Sequence, residues 1–102
     1  MAKIIHSERF ALDLRRIADF LLTVRPEYTA ESIELILDGV AILARHPWIG
    51  RPVEENLREL LIGQGKNGYV ALYDYLPEQS QINLLALRHQ REVGYADDTK
   101  QH

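Results

Sequence analysis

Tyr69-Val70-Ala71-Leu72-Tyr73-Asp74-Tyr75-Leu76, then Pro77-Glu78-Gln79-Ser80, then Gln81-Ile82-Asn83-Leu84-Leu85-Ala86-Leu87-Arg88, is the stretch on which the fold turns. Two runs of aromatic, branched and other apolar residues flank a short polar link opened by proline, the pattern of two strands joined tightly. In the first run Tyr69, Ala71, Tyr73 and Tyr75 point one way and Val70, Leu72, Asp74 and Leu76 the other. In the second, Ile82, Leu84, Ala86 and Arg88 alternate with Asn83, Leu85, Leu87 and His89. Apolar residues occur in every set, so the pattern leaves open which face is buried.

Working upstream, residues 58–62 form another short apolar run, linked to the first strand by a segment carrying Gly63, Gly65, Asn67 and Gly68. Short links make the three strands an antiparallel meander. Residues 47–56, with Gly50 and Pro52, read as a loop. Before it the period changes to that of helices. Phe10, Leu14, Ile17, Leu21 and Val24 mark one face of a helix over 7–24, opened by Ser7 and Glu8. Leu12, Phe20 and Leu22 widen its apolar surface beyond a single seam.

Pro26 suits the first turn of a second helix, and Thr29 is the alternative cap. Ile33, Ile36, Leu37, Val40, Leu43 and Ala44 continue it, and Gly39 leaves room for a neighbouring backbone. His46-Pro47 ends it, because the residue before a proline is pushed out of the α region. The short link at 25–28 makes the pair an antiparallel hairpin. Ile4 and Ile5 supply an opening strand. The expected class is therefore α+β: a strand, a helical hairpin on one face of a small curved sheet, then three strands. Residues 1–95 form one domain and 96–102 a polar tail.

At 102 residues and 46% hydrophobic, the chain can bury one core without staples, and zero cysteines exclude disulfides, thiol catalysis and thiolate metal sites. The N-terminus lacks a signal-peptide core, and no stretch approaches the roughly 20 apolar residues that cross a bilayer. A soluble, cytoplasmic protein without membrane contact is the expectation. The net charge of −3 weighs against nucleic-acid binding, which is driven by clustered Lys and Arg, although a local basic site stays open. His6, His46, His89 and His102 show no metal spacing, so no metal is expected. The 63–68 glycines lack phosphate-loop spacing and a following helix, no nucleophile elbow occurs, and no carboxylate pair is placed for glycoside cleavage. No cofactor is implied.

The densest chemistry is Arg88-His89-Gln90-Arg91-Glu92-Val93-Gly94-Tyr95, where two guanidiniums, an imidazole and a phenol follow an apolar strand. Such a set can fix a phosphate and move protons; the ordinary alternative is surface ion pairing with Tyr95 packed on the sheet. Arg58 is a second candidate, flanked by Glu54, Glu55 and Glu59 as ready ion-pair partners. Trp48 is either a binding aromatic or, more commonly, a plug for the end of the helical hairpin.

Taken in order, His46-Pro47-x-x-Gly50-Arg51-Pro52, Leu57-Arg58-Glu59-Leu60, Gly68-Tyr69 and the run from Ile82 to Tyr95 resemble the RelE/ParE superfamily. These are the toxins of type II toxin–antitoxin modules, long described as plasmid stabilisation proteins. The resemblance spans nearly the whole chain and implies a cognate antitoxin, encoded beside the toxin, whose C-terminal segment wraps it in a hetero-oligomer. Leu12, Phe20 and Leu22 are the expected antitoxin contacts.

The superfamily has two outcomes. RelE-like members are endoribonucleases that cleave mRNA on the ribosome; on that branch His89 and Arg91 would lie in the cleavage region, Arg58 would steady the phosphate and Tyr95 would stack on a base. ParE-like members inhibit DNA gyrase and need no phosphate-cleaving cluster. Many relatives carry a Tyr-Arg pair entering the third strand, where this chain has Gly68-Tyr69-Val70 and no cation until Arg88, and its only lysines are Lys3, Lys66 and Lys100. Together with the acidic balance, this favours the ParE-like branch. A relative that keeps antitoxin binding without activity is the third alternative.

Overall fold

The computed structural model describes residues 1–63, 67–92 and 94–95. In chain order it contains β1 (Lys3–His6), α1 (Glu8–Val24), α2 (Thr29–Ala41), β2 (Arg51–Glu54), β3 (Leu57–Ile62), β4 (Tyr69–Leu76) and β5 (Gln81–His89), with one-turn 3-10 segments at Pro26–Tyr28, Ile42–Ala44 and Pro77–Gln79. The strands form one sheet in the order β1-β5-β4-β3-β2. β1 runs parallel to β5, and the other neighbours are antiparallel. The expected α+β class, with its opening strand, helices and antiparallel strands, is what the chain adopts. The expected polar tail at 96–102 lies outside the described residues.

Ser7 starts α1 as its cap, its hydroxyl accepting from the Phe10 N–H at 3.0 Å. Pro26 opens a 3-10 turn that leads into α2 at Thr29. Thr29 does not act as a cap: it is already helical, and its hydroxyl bonds back to the Arg25 carbonyl at 3.5 Å. Gly39 admits the Ile62 side chain rather than a backbone, with the position of a Cβ only 3.0 Å from Ile62.

Two further sequence expectations change. First, residues 51–54 are an edge strand and not loop: Arg51 pairs with Glu59 and Pro52 with Arg58, before a bulge at Val53. Pro52 is tolerated there because an edge strand has a side that needs no N–H donor. Second, β5 does not alternate evenly. Leu72 pairs with Ala86 but Tyr73 with Leu84, so Leu85 is an extra residue in a β-bulge. Ile82, Leu84 and Leu87 consequently share the core face despite their mixed parity, alongside Tyr69, Ala71 and Tyr73 of β4. Phe10 and Ile17 of α1, Ile36 and Val40 of α2, and Leu43 cover that face.

The bulge also decides which face each later residue takes. His89 lies opposite Tyr69 on the helix side, whereas Arg88 lies opposite Val70 on the open side. Val70 and Ala86 are buried but stand outside the core cluster, on the open face.

Because β1 stops opposite Leu84, the edge of β5 beyond it has no strand beside it among the described residues. Side chains take its place. Asp13 accepts the Leu87 N–H at 2.9 Å, Arg16 reaches the Leu87 carbonyl at 3.5 Å, and Glu92 accepts the His89 N–H at 2.7 Å. Arg16 also pairs with Glu92 at 3.2 Å. The buried Asp13 has its pKa raised, chiefly by desolvation, with the Leu87 bond and the Arg16 charge opposing.

Tyr73 fixes the segment after the second helix. Its fully buried hydroxyl donates to the Pro47 carbonyl at 2.8 Å and accepts from the Gly50 N–H at 2.9 Å. A Cβ on Gly50 would stand 2.6 Å from the Tyr73 ring and 2.8 Å from the Glu59 carbonyl oxygen, so only glycine fits.

Candidate functional site

The helix-free face of the sheet carries a charged cluster assembled by register. Glu59 of β3 sits opposite Arg51 of β2 on one side and Leu72 of β4 on the other. Leu72 in turn pairs with Ala86, which brings Arg88 near from β5. Arg51 donates to Glu59 Oε1 through Nη2 at 2.8 Å and Nε at 3.3 Å. Arg88 Nη2 lies 3.9 Å from Glu59 Oε2, and the Tyr95 hydroxyl donates to that same oxygen at 2.7 Å. The Arg88 guanidinium also stands over the Tyr95 ring, 5.1 Å from its centre.

The charges are largely spent within the cluster. The Glu59 side chain is 9% exposed. Burial alone would raise its pKa, but the bonds from Tyr95 and Arg51 and the charges of Arg51 and Arg88 together hold it below the ordinary carboxylate value. Tyr95 moves the opposite way: burial first, then its bond to the Glu59 carboxylate, push the phenol far up. It stays protonated across the physiological range and is a poor base. Arg88 Nη1 donates to the carbonyls of Glu92 at 3.0 Å, His89 at 3.3 Å and Gln90 at 3.5 Å, fastening the chain that leads to Tyr95. A phosphate approaching this face meets a carboxylate already seated between the two arginines.

The residues picked from the sequence are not gathered in one place. Tyr95 belongs to the cluster. Arg58 faces the other side, where its Nη1 donates to the carbonyls of Gly50 at 2.6 Å and Trp48 at 3.0 Å, and its guanidinium lies 4.9 Å over the Trp48 ring. Arg58 pairs with Tyr73, and His89 pairs with Tyr69, so they stand four positions apart along β4, about 13 Å, and on strands to either side of it. His89 accepts the Arg91 N–H on Nδ1 at 3.1 Å and meets the Tyr69 ring edge-on at 5.3 Å. Burial, and then the charge of Arg91, lower its pKa, with Glu92 opposing. Arg91 is exposed. His89 and Arg91 are therefore neighbours on the rim, apart from Arg58.

Glu59 is the residue that sequence reasoning passed over, treating it only as a counter-ion for Arg58. The readable signal was its place in β3: Arg58, Leu60 and Ile62 share one parity, and Glu59 falls on the other with Leu61. Trp48 does not plug the helical hairpin. It is 56% exposed, with its ring edge-to-face with Tyr75 at 5.0 Å. Leu12, Phe20 and Leu22 are 55%, 63% and 57% exposed, leaving the surplus apolar surface of α1 uncovered. Among the described residues, no three His, Asp or Glu side chains gather closely enough to hold a metal ion, and no helix is long and apolar enough to cross a membrane.

Residues 4–94 match the family described as the ParE toxin of the type II toxin–antitoxin system parDE. The chain belongs to this toxin family, within the RelE/ParE superfamily. It is 34% identical over 80 residues to Toxin RelE3 of Caulobacter vibrioides, an alignment covering 78% of this chain and 85% of the relative. The fold is similar to that in the chromosomal ParDE toxin–antitoxin system of P. aeruginosa, with a TM-score of 0.74 and 22% identity over 87% of this chain and 96% of that one. It is also similar to the toxin–antitoxin complex RelBE2 of Mycobacterium tuberculosis, with a TM-score of 0.52 and 18% identity over 87% and 98% of the two chains. Both likenesses are of fold.

Proposed function

We infer that this toxin acts as a ParE-like inhibitor of a protein target, DNA gyrase, and is neutralised by a cognate antitoxin bound along its helices and sheet edge. One observation carries the first part: on the open face, Glu59 occupies the space between Arg51 and Arg88 and takes the Tyr95 hydroxyl. In-line cleavage of RNA needs cations free for the developing phosphorane charge and a group able to accept a proton. Here the cations face a carboxylate and the phenol is held protonated. A surface that works by contact has no such requirement.

The antitoxin reading rests on uncovered apolar surface. Leu12, Phe20 and Leu22 leave apolar surface exposed around the outer side of α1, which a wrapping partner segment can cover. Among the described residues β2 pairs with 57–59 and no strand lies beside the outer edge of β3 from Leu60 to Ile62, next to a groove lined by Leu35, Ile42 and Leu61. An extended partner segment fits such an edge. The solved relatives are described as toxin–antitoxin systems or complexes, which supports a partner of this kind.

The other reading, a ribosome-dependent mRNA endonuclease, draws on the rim pair His89 and Arg91, whose imidazole is kept neutral near pH 7. Expression of the toxin without its antitoxin separates the two. Gyrase inhibition is expected to induce the DNA-damage response with messages intact. Growth arrest accompanied by messages cut within codons would overturn it in favour of the nuclease, and absence of arrest would leave an inactive antitoxin-binding relative.

A further inference from the structure

Trp48 and Ile49 are each 56% exposed, side by side, in a segment whose backbone is unusually well fixed. Tyr73 holds the Pro47 carbonyl and the Gly50 N–H from beneath, Arg58 holds the carbonyls of Trp48 and Gly50, and the Ile49 N–H closes a turn on the His46 carbonyl at 3.2 Å. Trp48 is braced further by Arg58 over its face and Tyr75 against its edge. A large aromatic held in place while exposed loses little freedom on docking, which is the property of an interface anchor. Core packing does not account for Ile49, and the α1 and β3 surfaces assigned to the antitoxin do not include it.

The charge around this ridge selects the occupant. Arg45 lines the same shallow cleft as Trp48 and Ile49 and is exposed. Arg58 donates through Nη1 to two backbone carbonyls and makes no ion pair with a carboxylate among the described residues, so its positive charge stays at the ridge. A local positive field in a chain of net charge −3 is set against the whole. Nucleic acid fits less well, because one face of Trp48 is already taken by Arg58 and Ile49 offers nothing to a phosphate.

We propose that the Trp48–Ile49 ridge is the surface by which this toxin grips its target protein, receiving an acidic segment that carries an apolar anchor residue. The proposal rests on the reading that the toxin works by protein contact. It deepens that reading by naming the face used and the chemistry that meets it.

The test uses the full chain with Ile49→Asp and Arg45→Glu separately. Each is scored for growth arrest, thermal midpoint, self-association, complex formation with the product of the adjoining antitoxin gene, and binding to a single-stranded RNA oligonucleotide. The expected result is a loss of growth arrest of about tenfold or more for both ridge variants, as for a truncated anchor, with folding and antitoxin binding as in the parent. Undiminished arrest in either variant that folds overturns the proposal. So does a loss of antitoxin binding, of self-association or of RNA binding, each of which assigns the ridge to a different occupant, and so does a parent chain that arrests no growth. A parent that arrests growth without inhibiting gyrase removes the gyrase reading alone, since the ridge variants still decide whether this face grips the target.

Discussion

The hydroxyl of Tyr95 donates to Glu59 at 2.7 Å, so the segment that follows β5 is tied to the middle of the sheet's open face. The bond does more than hold that segment. It places an aromatic ring under the Arg88 guanidinium and closes the carboxylate that already binds Arg51. The open face is, in this chain, filled by its own ion pairs.

Removing the carboxylate should therefore cost more than removing either donor. Glu59→Ala leaves Arg88, whose side chain is 15% exposed, without its counter-charge, and a loss of about 3–5 kcal/mol is expected on chemical denaturation. Tyr95→Phe removes one charge-assisted bond and should cost about 1.5–3 kcal/mol. Arg51, with 60% of its side chain exposed, is screened by solvent, so Arg51→Ala should cost under about 1 kcal/mol.

The same cluster sets an acid limit. Glu59 has a lower pKa folded than unfolded, so its contribution is complete above the ordinary value of 4.5 and drains away as pH falls through the folded pKa. Thermal midpoints of the parent should fall below about pH 4.5 more steeply than those of Glu59→Gln.

Asp13 has the opposite sign. Burial raises its folded pKa, so its contribution is greatest below the ordinary value of 3.8 and diminishes as pH rises through the folded value. Asp13→Asn keeps an acceptor for the Leu87 N–H and removes the buried charge, and it should leave stability at pH 7 equal or higher. Asp13→Ala leaves that N–H unsatisfied and should cost about 1–3 kcal/mol. Denaturation of both variants across pH 4–8 separates the bond from the charge.

Gly50 and Tyr73 form a second pair that can be broken from either side. Gly50→Ala forces a Cβ into the Tyr73 ring and the Glu59 backbone, and about 1–3 kcal/mol of destabilisation is expected. Tyr73→Phe loses both hydroxyl bonds for a comparable cost. Both should loosen the ridge at Trp48, measurable as a shift in tryptophan fluorescence.

Element types and order could be read because periodicity is local. Ser7, the apolar face of α1 and the alternation of β4 each act within a few residues of themselves. What escaped was decided between strands. The edge strand Arg51–Glu54 is formed by pairing with β3 and has no apolar alternation of its own. The bulge at Leu85 depends on the partner β4, yet it decides that Arg88 takes the open face and His89 the helix side. Arg58, His89, Arg91 and Tyr95 are consecutive in chemical logic but not in register, and Glu59 gains its role only once Arg51, Arg88 and Tyr95 converge on it. The family resemblance, carried by residues spread along the chain, reached the fold and the toxin class. It did not by itself choose between the two branches.

The most direct measurement is gyrase supercoiling and translation assayed side by side with the purified toxin. Supercoiling by DNA gyrase should be blocked, ribosome-bound mRNA should stay uncut, and added antitoxin should restore the enzyme. Cleavage of mRNA on the ribosome with supercoiling untouched would contradict the gyrase reading.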